Sequence, residues 1–147
     1  MDKRRKVLVI ASLCVGMLMI GIIVFQQITQ VPEMKIVKEN LENEFHQIHQ
    51  LPGAKEIQYY STIKPEQALV GSTYKADLTF EEISQYYMDE LPKQGWNFQG
   101  SRNVTVWDRD LGGKELSFTK GKYVLKLDFP GNDPNSNYTF DLTIIRS

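Results

Sequence analysis

The stretch Val7–Phe25, VLVIASLCVGMLMIGIIVF, most constrains what this chain can fold into. It holds no charged residue, and Ser12 and Cys14 are its only polar or weakly polar side chains. A helix rises about 1.5 Å per residue, so these residues would reach roughly 28 Å, close to the ~30 Å hydrocarbon core of a bilayer. The sequence therefore predicts that residues 7–25 form a transmembrane helix that contacts the lipid bilayer.

The charges before this stretch predict its orientation. Four cations, Lys3–Lys6, precede it, and Asp2 is the only acid among residues 1–6. Cytoplasmic flanks of membrane helices carry an excess of Lys and Arg. We therefore predict a single-pass protein of the cell membrane, with residues 1–6 in the cytoplasm and the C-terminal domain outside it. A cleaved signal peptide is the alternative, but its apolar core is usually shorter and no small-residue cleavage site follows Phe25.

The remainder of the chain, from Gln26 onward, is mildly acidic. It carries 13 Lys and Arg (17 less the four of Lys3–Lys6) against 17 Asp and Glu (18 less Asp2). A mildly acidic domain without a basic patch argues against a nucleic-acid partner. The single cysteine, Cys14, lies in the predicted membrane segment, so the domain is expected to contain no disulfide, no Cys-ligated metal and no thiol nucleophile.

Residues 26–50 are predicted to form an amphipathic connector helix. The apolar positions follow helical steps of three and four residues, at Met34, Val37, Leu41, Phe45 and Ile48. The other faces carry charged side chains, which include Glu42 and Glu44. The apolar stripe must be buried, either on the domain that follows or on a partner helix in a short coiled coil. We expect the helix to end near Pro52-Gly53.

Residues 51–147 are predicted to form an α+β domain, in which a helix packs on one face of an antiparallel sheet. Alternating apolar and polar residues predict strands at Lys55–Ile63, Leu69–Asp77, Val104–Trp107, Leu116–Phe118, Tyr123–Phe129 and Tyr138–Ile144. Asp110–Gly113 is predicted to be a turn between two of them. Clean alternation indicates one buried face and one wet face, with Lys126, Asp128 and Asp141 on the wet face.

The strongest helix signal of the domain follows the second predicted strand. Thr79 and Glu82 form a capping-box pattern, and the apolar stripe behind it is Phe80, Ile83, Tyr87 and Leu91. Pro92 disfavours helix at the preceding residue, so we expect the last turn to be irregular or absent. Gly95 is predicted to end the helix in a left-handed conformation, and Trp96 to enter the core.

Residues at the end of this helix form a pattern that is also found in other proteins. Tyr86-Tyr87, Leu91 and Gly95-Trp96, with Pro52-Gly53-Ala54 before the first strand, resemble a pattern found in many small bacterial membrane-anchored or lipoprotein-like domains. The resemblance covers residues 51–147 and implies two strands that lead into a helix, a Gly-Trp step and a sheet that completes the fold. These positions are mostly core positions, so the resemblance assigns no functional residue.

The sequence predicts no catalytic residue, no metal site and no cofactor. Both histidines, His46 and His49, lie in the connector, so a nucleophile–histidine pair inside the domain is not expected. On a helix they can face the same way as Glu42, but the zinc pattern with a catalytic Glu needs two His four residues apart. We therefore interpret His46 and His49 as solvated or half-packed side chains and not as metal ligands.

Two sets of carboxylates lie beside predicted turns or loops, where acidic residues are often simply solvated. Asp108, Asp110 and Glu115 flank the predicted Gly-Gly turn and are candidates for paired carboxylates of the glycosidase kind. Five residues around a long loop are candidate calcium ligands, although the EF-hand spacing is absent: Asp128, Asn132, Asp133, Asn135 and Asp141. We predict solvated carboxylates with ordinary pKa values beside these turns, which suit acid–base catalysis at neutral pH poorly.

The candidate binding residues are Tyr60, Tyr86, Trp107, Glu42 and Glu44. Tyr59 and Tyr60 are adjacent in a predicted strand, so one of them must face away from the core. Several aromatic side chains on the open face of a sheet would offer a surface to a protein or a glycan. We therefore predict an interaction or assembly module of the bacterial envelope whose partner is another envelope protein, and not an enzyme. The alternatives are a glycan- or ligand-binding domain and a small envelope enzyme.

Overall fold

The computed structural model describes residues 35–64, 67–106 and 109–146. The predicted transmembrane helix, residues 7–25, lies outside the described residues, as do Pro65, Glu66, Trp107 and Asp108. Within the described ranges, no helix combines the length and apolarity needed to span a membrane.

Six antiparallel strands form a single sheet in the described part of the chain. They are β1 (Lys55–Lys64), β2 (Gln67–Lys75), β3 (Asn97–Val106), β4 (Arg109–Lys120), β5 (Tyr123–Phe129) and β6 (Phe140–Arg146). Their order across the sheet is β1-β2-β6-β5-β4-β3. The last four strands form a meander, and β6 pairs with β2, which joins the meander to the β1–β2 hairpin. The predicted antiparallel sheet of an α+β fold is confirmed.

Two helices, α1 (residues 35–46) and α2 (Phe80–Glu90), pack on the sheet. They bury Leu41 and Phe45 from α1 and Ile83 and Tyr87 from α2. The sheet contributes alternate residues of four central strands to the same core: Val70, Tyr74, Leu116, Phe118, Leu125, Leu127, Phe140, Leu142 and Ile144. Of the two alternatives for the connector's apolar stripe, the structure therefore shows packing on the domain.

Helix α1 ends earlier than the sequence predicts. Its α-helical conformation stops at His46, and the next turn is closed by a bond from the Ile48 amide to the Phe45 carbonyl oxygen at 3.1 Å. The tighter turn lets Ile48 and then Leu51 both reach the core, where each is buried. The apolar spacing in the sequence predicts a helix that continues toward Pro52-Gly53. The helix ends earlier because the tighter turn buries both Ile48 and Leu51.

The capping box of α2 is confirmed. The Glu82 amide donates to the Thr79 hydroxyl oxygen at 3.2 Å, and the Thr79 amide donates to the Glu82 carboxylate at 2.8 Å. Caps of this kind contribute about 1 kcal/mol to stability. The last turn is irregular, as predicted, because Pro92–Gln94 continues α2 as a 3-10 helix and Gly95 follows with a φ of 85°.

The β3–β4 hairpin corrects two predictions. Strand β3 spans Asn97–Val106, so the short strand predicted from Val104 is the end of a long one, and Asp110–Gly113 lies inside β4 and is not a turn. Val104 pairs with Gly113 and Thr105 pairs with Asp110, so the two residues between them bulge from β4. This bulge contains residue types that are common in turns. Only its pairing with β3 shows that the segment is part of a strand and not a turn.

Candidate functional site

A row of polar side chains crosses the face of the sheet that the helices leave uncovered. Directly paired residues of antiparallel strands point to the same side, and the register pairs Glu115 with Asp128 and Asp128 with Asp141. Three carboxylates therefore lie side by side on three neighbouring strands. With the side chains that contact them or flank them on this face, they form what we call the polar row: Tyr60, Thr143, Asp141, Asp128, Lys126, Glu115 and Arg102.

Tyr60 enters the polar row from the edge strand β1 because Gly71 on β2 has no side chain. A Cβ atom at Gly71 would lie 2.6 Å from the Tyr60 hydroxyl oxygen and 2.8 Å from the Leu142 carbonyl oxygen. Across this gap, the Tyr60 hydroxyl donates to Asp141 at 2.6 Å and contacts the Thr143 hydroxyl, also at 2.6 Å. Burial and the hydrogen bond to Asp141 raise the pKa of Tyr60, so its hydroxyl keeps its proton.

Glu115 forms the opposite end of the row with two cations. Arg102 donates to both of its carboxylate oxygens, at 2.8 and 2.9 Å, and Lys126 donates to one of them at 3.0 Å. Burial disfavours the charge on Glu115, but these bonds outweigh burial and hold its pKa below the usual range. The prediction of a solvated turn residue is wrong here, because Glu115 lies within β4 and is only 7% exposed.

Asp128 occupies the middle of the row and has the least ordinary environment. Burial, followed by the charges of Glu115 and Asp141, raises its pKa to about 7. Burial also raises the pKa of Asp141, against the hydrogen bonds from Tyr60 and Thr143. The expectation of ordinary pKa values is therefore wrong for both residues, because pairing between β5 and β6 brings them together on a half-buried surface.

Two small clefts lie at the surface of the described residues, one beside the polar row and one next to α2. A shallow cleft of about 170 Å³ lies beside Arg102 and is lined by Gln99, Gly100, Ser101, Arg102, Glu115 and Ser117. A second cleft, of about 220 Å³, is lined by Phe80, Gly112, Lys114, Phe129, Gly131 and Thr139. Both are smaller than the roughly 300–1,000 Å³ of typical small-molecule sites. Among the described residues, no group of three or more His, Cys, Asp or Glu is arranged to hold a metal ion.

The structure separates the binding residues that the sequence suggests. Of the four candidates that the structure describes, only Tyr60 joins the polar row. Tyr86 lies on α2 and donates to the Gln50 carbonyl oxygen at 2.9 Å, while Trp107 lies outside the described residues. On α1, Glu42 pairs with Lys38 at 3.5 Å and Glu44 pairs with Lys120 of β4. Tyr86 and Glu44 therefore hold helical segments to the rest of the domain.

The other connector candidates also have packing contacts. The His46 ring stacks on Tyr59, with ring centroids 5.9 Å apart, and His49 Nδ1 lies 3.3 Å from a carboxylate oxygen of Glu90. Tyr59 thus faces the helices, while its neighbour Tyr60 faces the open side. The two histidines contact different elements and do not converge with Glu42 on one site.

Sequence reasoning named several residues of the polar row but missed their arrangement. Alternation placed Lys126, Asp128 and Asp141 on a wet face, but it carried no signal of which strands would be neighbours. No family model, no curated protein and no solved structure matches this chain. The polar row is therefore interpreted from its own geometry and chemistry.

Proposed function

We propose that this protein is a membrane-anchored interaction or assembly module of the bacterial envelope, and that its partner is another envelope protein. In this proposal, residues 7–25 anchor the chain in the bilayer, residues 1–6 lie in the cytoplasm, and the domain lies outside it. The long uncharged stretch and its basic flank support the anchor. The resemblance to small bacterial membrane-anchored domains supports the envelope.

The observation that carries the proposal is the uncovered face with its ordered polar row. Strands lie about 4.8 Å apart and rise about 3.3 Å per residue, so six strands of about seven residues present roughly 29 Å by 23 Å, or about 670 Å². A standard protein–protein interface buries about 800 Å² on each partner. The open face is therefore of the size that a protein partner covers.

The order within the row also favours binding. Tyr60, Asp141 and Thr143 hold one another at one end, and Arg102, Glu115 and Lys126 do so at the other. Side chains that are already fixed lose less conformational entropy when a partner docks on them. Arginine is also enriched at interfaces, and Arg102 lies on the edge strand with most of its side chain exposed.

A small envelope enzyme is the second candidate, and the raised pKa of Asp128 favours it. A general acid or base works best when its pKa lies near the operating pH. However, catalysis also needs a site that positions the substrate and excludes water, and the cleft beside Arg102, at about 170 Å³, is smaller than such sites usually are. We therefore place binding first.

Protease accessibility tests the proposed topology. Protease added to intact spheroplasts should digest the domain and leave residues 1–6 protected, because the four cations hold that flank in the cytoplasm. Tags at the two ends of the chain, followed by immunoblotting, report the result. A mature chain that begins after Phe25 would replace the anchor with a secretion signal.

Site-specific photo-crosslinking tests the binding surface. A photo-reactive amino acid at Thr73, which pairs with Asp141 on the open face, should trap a specific envelope protein in membranes. The same amino acid at Gln85, exposed on α2, is the matched control and should not trap it. In the Thr73 background, Tyr60→Ala should reduce the product, because it removes the hydroxyl that orders Asp141 and Thr143. Equal products from Thr73 and Gln85 would contradict the assignment of the open face.

A further inference from the structure

The central carboxylate of the polar row differs from its two neighbours in its partners. Glu115 receives hydrogen bonds from two cations, and Asp141 receives them from two hydroxyl groups. In the described ranges, the side-chain hydrogen-bond neighbour of Asp128 is Glu115, and neither a cation nor a hydroxyl donates to it. Opposed residues in antiparallel strands have Cβ atoms about 4.5–5.5 Å apart, and like charges at this separation are destabilising.

The charged groups around Asp128 leave the row with a surplus of negative charge. Lys126 lies two residues away on the same strand and binds Glu115, and Arg102 of β3 binds Glu115 through Nε and Nη2. On the Asp141 side of Asp128, the nearby titratable groups are the neutral hydroxyls of Tyr60 on β1 and of Tyr138, which precedes β6. Two cations therefore oppose three carboxylates, and both cations are engaged at the Glu115 end.

We propose that Asp128 holds a proton in weakly acidic solution between Glu115 and Asp141, so that the open face gains a negative charge and the domain loses stability as the pH rises to neutral. The protonated carboxyl donates a hydrogen bond to a neighbouring carboxylate, which replaces repulsion with attraction. Asp128 is thus a pH-sensitive element of the fold. This inference does not rest on the proposed function, because it is measured on the chain without a partner.

The direction of the pH dependence follows from the raised pKa of Asp128. Its pKa is about 7 in the folded protein, against an ordinary value of 3.8. The protonated form is therefore favoured in the folded state, and its stabilising contribution is complete below the ordinary value and lost as the pH rises through about 7. Burial of Asp141 raises its pKa as well, so it acts in the same direction.

The test compares the full-length chain in detergent micelles with its Asp128→Asn variant, because Asn is a neutral side chain of the same size. Thermal unfolding is measured at about pH 4, near the ordinary pKa of an aspartate, and at about pH 8, above the expected transition. At the higher pH the variant should be more stable than the parent, by roughly 5 °C or more, and at the lower pH the two should be similar. Asp89→Asn, exposed on α2, is the matched control and should follow the parent at both values.

A direct titration keeps the inference testable if the variant does not fold. In the unsubstituted chain labelled with ¹³C at aspartate, the Asp128 carboxyl resonance should titrate with a midpoint near neutral pH. A midpoint in the range of ordinary aspartates would overturn the proposal. Parallel loss of stability with pH in the parent and in Asp128→Asn would overturn it independently.

Discussion

Replacing Trp96 with alanine should lower the free energy of unfolding by about 3–5 kcal/mol, which is a large share of the total stability of a small domain. Trp96 follows the left-handed Gly95 and is only 1% exposed, and the ammonium of Lys120 lies 5.8 Å from its ring centroid. The substitution leaves a cavity between the end of α2 and the sheet. Denaturant unfolding of the full-length chain in micelles, followed by circular dichroism, measures the loss.

Phe98→Ala provides the control for this prediction. Phe98 lies two residues further along the chain, on the edge strand β3, and is 47% exposed. It contacts Phe118 with ring centroids 5.3 Å apart, so its removal should cost about 1 kcal/mol. Equal losses for the two variants would mean that Trp96 is not a core residue.

Replacing Phe45 with alanine should cost about 3–5 kcal/mol as well, because α1 is an integral part of the core. Phe45 is 3% exposed and packs against Tyr59 of β1, with ring centroids 6.0 Å apart. The ion pair of Glu44 with Lys120 holds the same helix to β4. Urea unfolding of the full-length chain in micelles at two protein concentrations measures the loss.

The two concentrations distinguish packing on the domain from packing on a partner helix. If the stripe of α1 packs on the sheet, the midpoint is independent of concentration, and Glu39→Ala on an exposed position of the same helix has little effect. A midpoint that rises with concentration, together with a Phe45→Ala variant that unfolds like Glu39→Ala, would indicate a coiled coil.

The two interpretations of Asp128 lead to different outcomes. If the polar row is a binding surface, Asp128→Asn changes the pH dependence of stability and leaves complementation of a deletion strain intact in medium at about pH 6, where the native residue is largely protonated. If the row is catalytic, the same variant abolishes complementation while the fold and the Thr73 crosslink survive. The enzyme proposal then takes precedence over binding.

Local features of this chain were predictable because the residues that determine them are close in sequence. The capping box needs only Thr79 and Glu82, three residues apart, and the left-handed stop needs only Gly95. Alternation likewise identified β5 and β6, since one face of each strand is buried. The predicted anchor at residues 7–25 depends on length and apolarity alone.

Features that depend on strand pairing were decided by the tertiary structure. The Asp110–Gly113 segment has the residues of a turn, but β3 continues alongside it and makes it a bulge. Tyr60 and Asp141 are 81 residues apart, and they meet because β2 and β6 pair and Gly71 leaves the gap between them open. The sequence by itself determined which residues of β5 and β6 face the core and which face away from it. Long-range pairing decided which of them are neighbours, because strand partners far apart in the chain are selected by the packing of the whole sheet.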